Sequence, residues 1–280
     1  MKLISYRHGG REAYGVVKDG GIVDMSVRMD HPSLKQAIAG LSVGEMEKIA
    51  ASADADVSLD DIEYMFPITT PEKIFCIGRN YRAYHEVLED GGPKWPSIFP
   101  RYASSFAPHG EAIYRPAVSD QLDYEGEIGV IIGKAGRHIP EENALDYVAG
   151  YTVINEGTVR DWLKKGTQNS PGKNFHRSGA IGPWMVTRDE IDDLDALQIK
   201  TTVDDEIRQD GGSDMMIFKI PFVISHISKI TWLEPGDMIA TGSPGGSAVE
   251  SDPPKWLKPG EKISINIEPI GTLSNPIAAE

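Results

Sequence analysis

The chain has 280 residues, of which 40% are apolar and 25% charged. That is the balance of a folded globular protein, not of a disordered one. The formal net charge is −14, which argues against nucleic acid as a partner, since phosphate binding needs a basic footprint.

No apolar run approaches the roughly 18–20 residues that cross a bilayer. The opening MKLISYRHGG lacks the apolar core of a signal peptide. The single cysteine, Cys76, cannot form an internal disulfide. A cytoplasmic protein without a membrane partner is the expectation.

In chain order, residues 1–65 read as a small N-terminal α/β domain and residues 66–280 as the main one. KLISYR, AYGVVKDG and GIVDMS are strand-like runs, and Asp19-Gly20-Gly21 has the composition of a hairpin turn. The stretch 34–53 has helical spacing, with Leu34, Ile38, Leu41, Met46 and Ile49 near one face. Beyond it, KIFCIG, EAIYRP, EIGVIIG, YVAGYTVIN, LQIKTTVDD, DMIATG and EKISINI read as strands. Short helices are expected at 82–88, 158–165 and 221–230. LEPGD and LKPGE are Pro-Gly turns, each preceding a strand. The fold class is mainly β (α+β).

The segment Gln121 to Ile132 carries the most chemistry. Read as one strand, it puts Leu122, Tyr124, Ile128, Val130 and Ile132 on one side and Asp123, Glu125 and Glu127 on the other. Carboxylates two apart on a strand have Cα atoms about 6–7 Å apart and can converge on one hard cation. The alternative is an edge strand with a solvated acidic face. A third acid, Glu156, follows the apolar run YVAGYTVIN in a turn. It is either a further ligand or an acid capping the next helix.

Five ordered motifs resemble the fumarylacetoacetate hydrolase family: FCIGRNY at 75–81, LDYEGEIGVIIGK at 122–134, INEGTVRDW at 154–162, GKNF at 172–175 followed by GPW at 182–184, and the block 213–246 that contains TGSPGG. The resemblance implies a twisted β-roll catalytic domain behind a small N-terminal domain, and a homodimer. It implies Mg²⁺ (or Mn²⁺ or Ca²⁺) held by Glu125, Glu127 and Glu156, the last standing where Asp is usual. It implies substrate contacts from Arg160, Lys173 and Thr241, with Arg101 where the family often has Lys. The implied partner is a small anionic 2-oxo or 1,3-dioxo acid. The implied reaction is hydrolysis of a C–C bond in an acylpyruvate-like acid. Decarboxylation of oxaloacetate, isomerisation or hydration on the same fold are the alternatives, and a catalytically inactive binding module is a further one.

Several positions depart from the family pattern. Its lid helix carries His and Glu three apart, whereas here His85 and Glu89 are four apart and Tyr84 takes the usual histidine position. His85 and Glu89 are the expected base and its orienting partner, on one helix face. The region 84–96, with Gly91-Gly92-Pro93, is the expected lid. Leu163 replaces a common glutamine, and His176 and Arg177 add cations after GKNF.

Overall fold

The computed structural model describes residues 1–82 and 92–280. Among these the protein is mainly β, with few helices. The strands form a 12-stranded sheet, a 5-stranded sheet and a 2-stranded one. The large sheet runs in the order Val57–Ser58, Gly21–Asp24, Arg11–Lys18, Lys2–His8, Gly179–Thr187, Val148–Asn155, Gly126–Ile132, Met238–Ala240, Ile74–Gly78 and Ser97–Pro100. The 5-stranded sheet runs Glu206–Gly212, Gln198–Val203, Lys262–Ile267, Gly271–Ala279 and Ile113–Arg115. Ile128, Val130 and Val153 of the first sheet share a core with Ile199, Ile263, Ile265 and Leu273 of the second.

The N-terminal hairpin forms as its composition demands. Asp19 and Gly20 both adopt positive φ, 51° and 79°, which matches the twist of the two strands they join. The stretch 34–53 is not one helix. It breaks into Leu34–Ala39 and Val43–Ser52, and Leu41 sits between them at φ 56° with 77% of its surface exposed. Gly40 caps the first helix with its backbone N–H. The helix Ile220–Ile230 buries Ile220, Val223, Ile224 and Ile227, the stripe that its periodicity predicts.

Two strands of the core are not apparent from sequence pattern. Gly179–Thr187 contains Gly182-Pro183, a breaker inside an apolar run. The register against Val148–Asn155 shifts between Tyr151 and Val153, so the residue without an N–H falls at an irregularity. Gly271–Ala279 carries Pro276. The expected helix 82–88 and the lid 84–96 fall largely on residues 83–91, outside the described residues, as do Tyr84, His85 and Glu89.

Candidate metal and anion site

The acidic segment is not one continuous strand. Leu122–Asp123 pairs with Thr158–Val159 in the small sheet, and Gly126–Ile132 lies in the large sheet between Val148–Asn155 and Met238–Ala240. The break at Tyr124 and Glu125 turns Asp123 away from the other acids. Gly126 pairs with Asn155, and the Glu156 N–H donates to the Glu125 carbonyl at 2.8 Å. That register brings Glu156 beside Glu125. All three glutamates are buried, so the solvated-edge alternative does not apply.

Carboxylate oxygens of Glu125, Glu127 and Glu156 lie within 4.8 Å of one another. Two glycines let the backbone close around them. A Cβ on Gly157 would sit 1.8 Å from the Ser178 carbonyl oxygen, so only glycine fits after Glu156. Gly242, at φ 94°, turns its N–H onto Glu127 Oε2 at 2.8 Å.

Lys173, from the short helix Ser170–Lys173, places Nζ 2.5 Å from Glu125 Oε2 and 3.1 Å from Glu156 Oε2. Arg160 opens the helix Arg160–Leu163 and donates from Nε to Asp123 Oδ2 at 2.6 Å and from Nη2 to Glu125 Oε1 at 2.5 Å. Burial alone would raise the Glu125 pKa, but Lys173 and Arg160 together outweigh it and hold the group at about 2. Glu127 goes the other way: burial, with the charges of Glu156 and Glu125 added, pushes it well above the usual carboxylate range. Glu156 is also raised, by burial that Lys173 only partly offsets. Its Oε1 is buried without a hydrogen-bond partner among the described residues, with Arg101 Nη1 3.8 Å away.

Four buried carboxylates (Asp123, Glu125, Glu127, Glu156) and two buried cations (Arg101, Lys173) thus form one group with the partly exposed Arg160. Fully ionised, the group carries one net negative charge. A divalent cation among three hard oxygen donors would remove the like-charge conflict, take up the orphaned Glu156 oxygen and leave one net positive charge, which suits a monoanion. The residues present therefore fit Mg²⁺, Mn²⁺ or Ca²⁺.

The cluster lies at a cleft of about 440 Å³ whose walls include Glu125, Glu127, Arg160, Leu163 and Lys173. Thr241 and Arg101 are buried and lie outside those walls. Thr241 Oγ1 donates to the Ile128 carbonyl. Arg101 donates to Ser105 Oγ and carbonyl, Gly157 carbonyl and Ser178 Oγ, and lies over the Phe106 ring at 4.1 Å. It supports the turn that carries Glu156. Arg177 is turned to Glu111 and Tyr114, which do not line the cleft.

Three residues gain roles that sequence pattern does not announce. Asn80 donates to the Phe218 and Thr241 carbonyls and accepts from Phe218 N–H, stapling two loops at the cleft. Tyr81 lines the cleft, and its buried hydroxyl has no partner among the described residues. Asp123 accepts from Arg160 and from the backbone of Ala248 and Val249. Asn80 and Tyr81 lie in the motif at 75–81, the only sequence signal that could have marked them.

Comparison with known proteins accords with this geometry. An uncharacterized protein of Staphylococcus aureus (strain USA300) is 37% identical over 99% of this chain and 100% of its own. The fumarylacetoacetate hydrolase of psychrophilic Exiguobacterium antarcticum superposes with a TM-score of 0.86 at 32% identity, covering 100% of both chains. A probable 2-hydroxyhepta-2,4-diene-1,7-dioate isomerase of Mycobacterium abscessus superposes at 0.84 with 28% identity, over 100% of this chain and 99% of that one. The likeness thus extends to solved structures described as a hydrolase and as a probable isomerase. The profile described as "Fumarylacetoacetate (FAA) hydrolase C-terminal" matches residues 73–278, the stretch that holds all three glutamates, Arg160 and Lys173, and the chain belongs to the fumarylacetoacetate hydrolase family.

Proposed function

We propose that the protein is a divalent-metal-dependent hydrolase that cleaves a C–C bond in a small 1,3-dioxo, acylpyruvate-like carboxylic acid. The observation that carries this reading is the buried triad Glu125, Glu127 and Glu156 with an orphaned carboxylate oxygen, set beside two cations on a cleft. The hydrolase of Exiguobacterium antarcticum, at 32% identity, supports hydrolysis as the outcome. Bound Mg²⁺, Mn²⁺ or Ca²⁺ would supply Lewis acidity to the keto acid oxygens.

The chain's own residues do the rest. Lys173 and Arg160 keep Glu125 ionised, so one of the three ligands carries its charge before a cation arrives, and a bound cation would favour the ionised form of Glu127 and Glu156. Arg160, on the cleft wall, presents a guanidinium edge to the substrate carboxylate. Tyr81 offers a phenolic O–H to a substrate oxygen. His85, oriented by Glu89, is proposed as the base that takes a proton from water. Water adds to the distal carbonyl and the C–C bond breaks with its electron pair going to the methylene carbon. A proton then returns to that carbon, giving a carboxylic acid and pyruvate. A homodimer in the cytoplasm is part of the proposal.

A second reading rests on Leu163. It stands on the cleft wall where the resemblance leads one to expect glutamine, so this position has no amide to hold a water. That favours decarboxylation or isomerisation, which need no water at the substrate. Turnover of acylpyruvates, oxaloacetate and an unsaturated 2-hydroxy acid, each with and without Mg²⁺ or Mn²⁺, decides between them. Metal-dependent release of pyruvate from acylpyruvates is expected. Turnover of oxaloacetate or the hydroxy acid alone would replace hydrolysis with the second reading. Binding without turnover of any would favour an inactive module.

A further inference from the structure

Asp123 belongs to the acidic motif but not to the glutamate triad. Its side chain is completely buried, and every hydrogen bond it makes is to an N–H. Oδ1 accepts from Ala248 N at 2.7 Å and from Tyr124 N at 2.7 Å. Oδ2 accepts from Arg160 Nε at 2.6 Å and from Val249 N at 3.2 Å. Among the described residues, four N–H donors and no acceptor surround it, so both carboxylate oxygens are engaged.

The donors come from two separate segments of the chain that reach the cleft: Arg160 lines it, and so do Ser247, Val249 and Glu250. The turn 247–250 is itself closed by Glu250, which accepts from Gly246 N–H and Ser247 Oγ. One buried carboxylate therefore ties a rigid turn to a guanidinium. Arg160 is held at Nε by Asp123 and at Nη2 by Glu125, and Nη1 has no partner among the described residues.

We propose that Asp123 is a positioning residue for anion recognition: it locks Arg160 and the 247–249 turn together so that the remaining guanidinium edge meets the substrate carboxylate in a fixed orientation. This rests on the metal-enzyme reading above. Arg160 without its Nε anchor still carries its charge, but it loses the geometry that makes a guanidinium–carboxylate contact specific.

The test uses calorimetry on the full chain, with Mn²⁺ and then oxalate as probes, for the wild type, Asp123→Asn, Arg160→Gln and the double variant. Wild type binds Mn²⁺ and, once loaded, oxalate. Asp123→Asn is expected to weaken oxalate binding about tenfold while Mn²⁺ affinity stays within about threefold, because Asp123 is not a ligand. In the Arg160→Gln background the Asp123 change is expected to add no further loss. Hydrogen exchange at the Ala248 and Val249 amides should be faster in Asp123→Asn, a readout that needs no metal.

Wild-type oxalate affinity in Asp123→Asn overturns the inference, as do an equal fall in Mn²⁺ affinity and losses that multiply in the double variant. If Asp123→Asn alone does not fold, the double variant against Arg160→Gln carries the test, since it removes both partners of the ion pair: equal oxalate affinity supports the inference and a further loss overturns it. Wild-type protein that binds neither probe overturns the metal-enzyme reading itself, and this inference with it.

Discussion

Lys173 lies between two of the three glutamates, and its ammonium forms an ion pair with each. Replacing it with methionine keeps the chain length and leaves two buried carboxylates without that partner. The expected cost is about 3–5 kcal/mol, the size seen when one member of a buried ion pair is removed. Mn²⁺ should raise the melting temperature of Lys173→Met more than that of the wild type; an equal shift would mean that Lys173 and the ion do not share the same carboxylates. A second residue gives a pH effect well away from the triad. His109 accepts the Ser274 N–H at Nδ1 and packs against Tyr64, with Lys262 the neighbouring charge. Burial, with Lys262 added, holds its pKa below the usual histidine value of about 6.5. The unfolded chain therefore takes up the proton first. His109 contributes its stability above pH ~6.5, and that contribution is lost as pH falls toward the folded pKa. His109→Asn keeps an acceptor for Ser274 and cannot titrate, so its stability should fall less steeply below pH ~6.5 than the wild type's. Urea midpoints at a series of pH values check this, and parallel curves would count against it.

The elements around the site explain what the sequence made legible and what it did not. Glu125 and Glu127 were readable as a pair because alternation is a local pattern, whereas Glu156, equally legible as a helix cap, joined them through the family resemblance. The separation of Asp123 from Glu125 was not, because it depends on Leu122–Asp123 choosing Thr158–Val159 as its partner, a pairing about 35 residues away in sequence. The strand Gly179–Thr187 was hidden by Pro183, which only a register irregularity opposite can accommodate. Arg101 and Thr241 came from a resemblance of position, and burial turns both toward backbone and hydroxyl groups away from the cleft wall. Asn80 shows the opposite case: a polar residue in a loop motif whose main visible work is to join elements. Asn80→Ala would strip partners from the Phe218 N–H and carbonyl and from the Thr241 carbonyl. A loss of about 1–3 kcal/mol or more is expected, since buried backbone groups would be left unsatisfied. Oxalate affinity should fall as the 241–242 turn loosens; denaturant unfolding and calorimetry measure the two effects. Unchanged stability would show that the staple is dispensable.

At the scale of the whole molecule, the N-terminal strands and the main body form one continuous sheet. Lys2 and Leu3 pair with Val186 and Met185, and Leu3, Met25 and Leu34 share a core with Ile131, Ile154 and Met238. Unfolding of the full chain is therefore expected as one cooperative transition, with a reporter in residues 1–65 and one near the cleft giving the same midpoint. Two separate midpoints would show that residues 1–65 are energetically independent. The central claim concerns the glutamate triad, and it is tested most directly by titrating the metal-stripped wild type with Mn²⁺ in a calorimeter, alongside Glu125→Gln, Glu127→Gln and Glu156→Gln. The account predicts one ion per chain for the wild type, with affinity lost in each variant while circular dichroism shows the fold retained. Wild-type protein that takes up no Mn²⁺ or Mg²⁺, or folded variants that bind as tightly as the wild type, would contradict it.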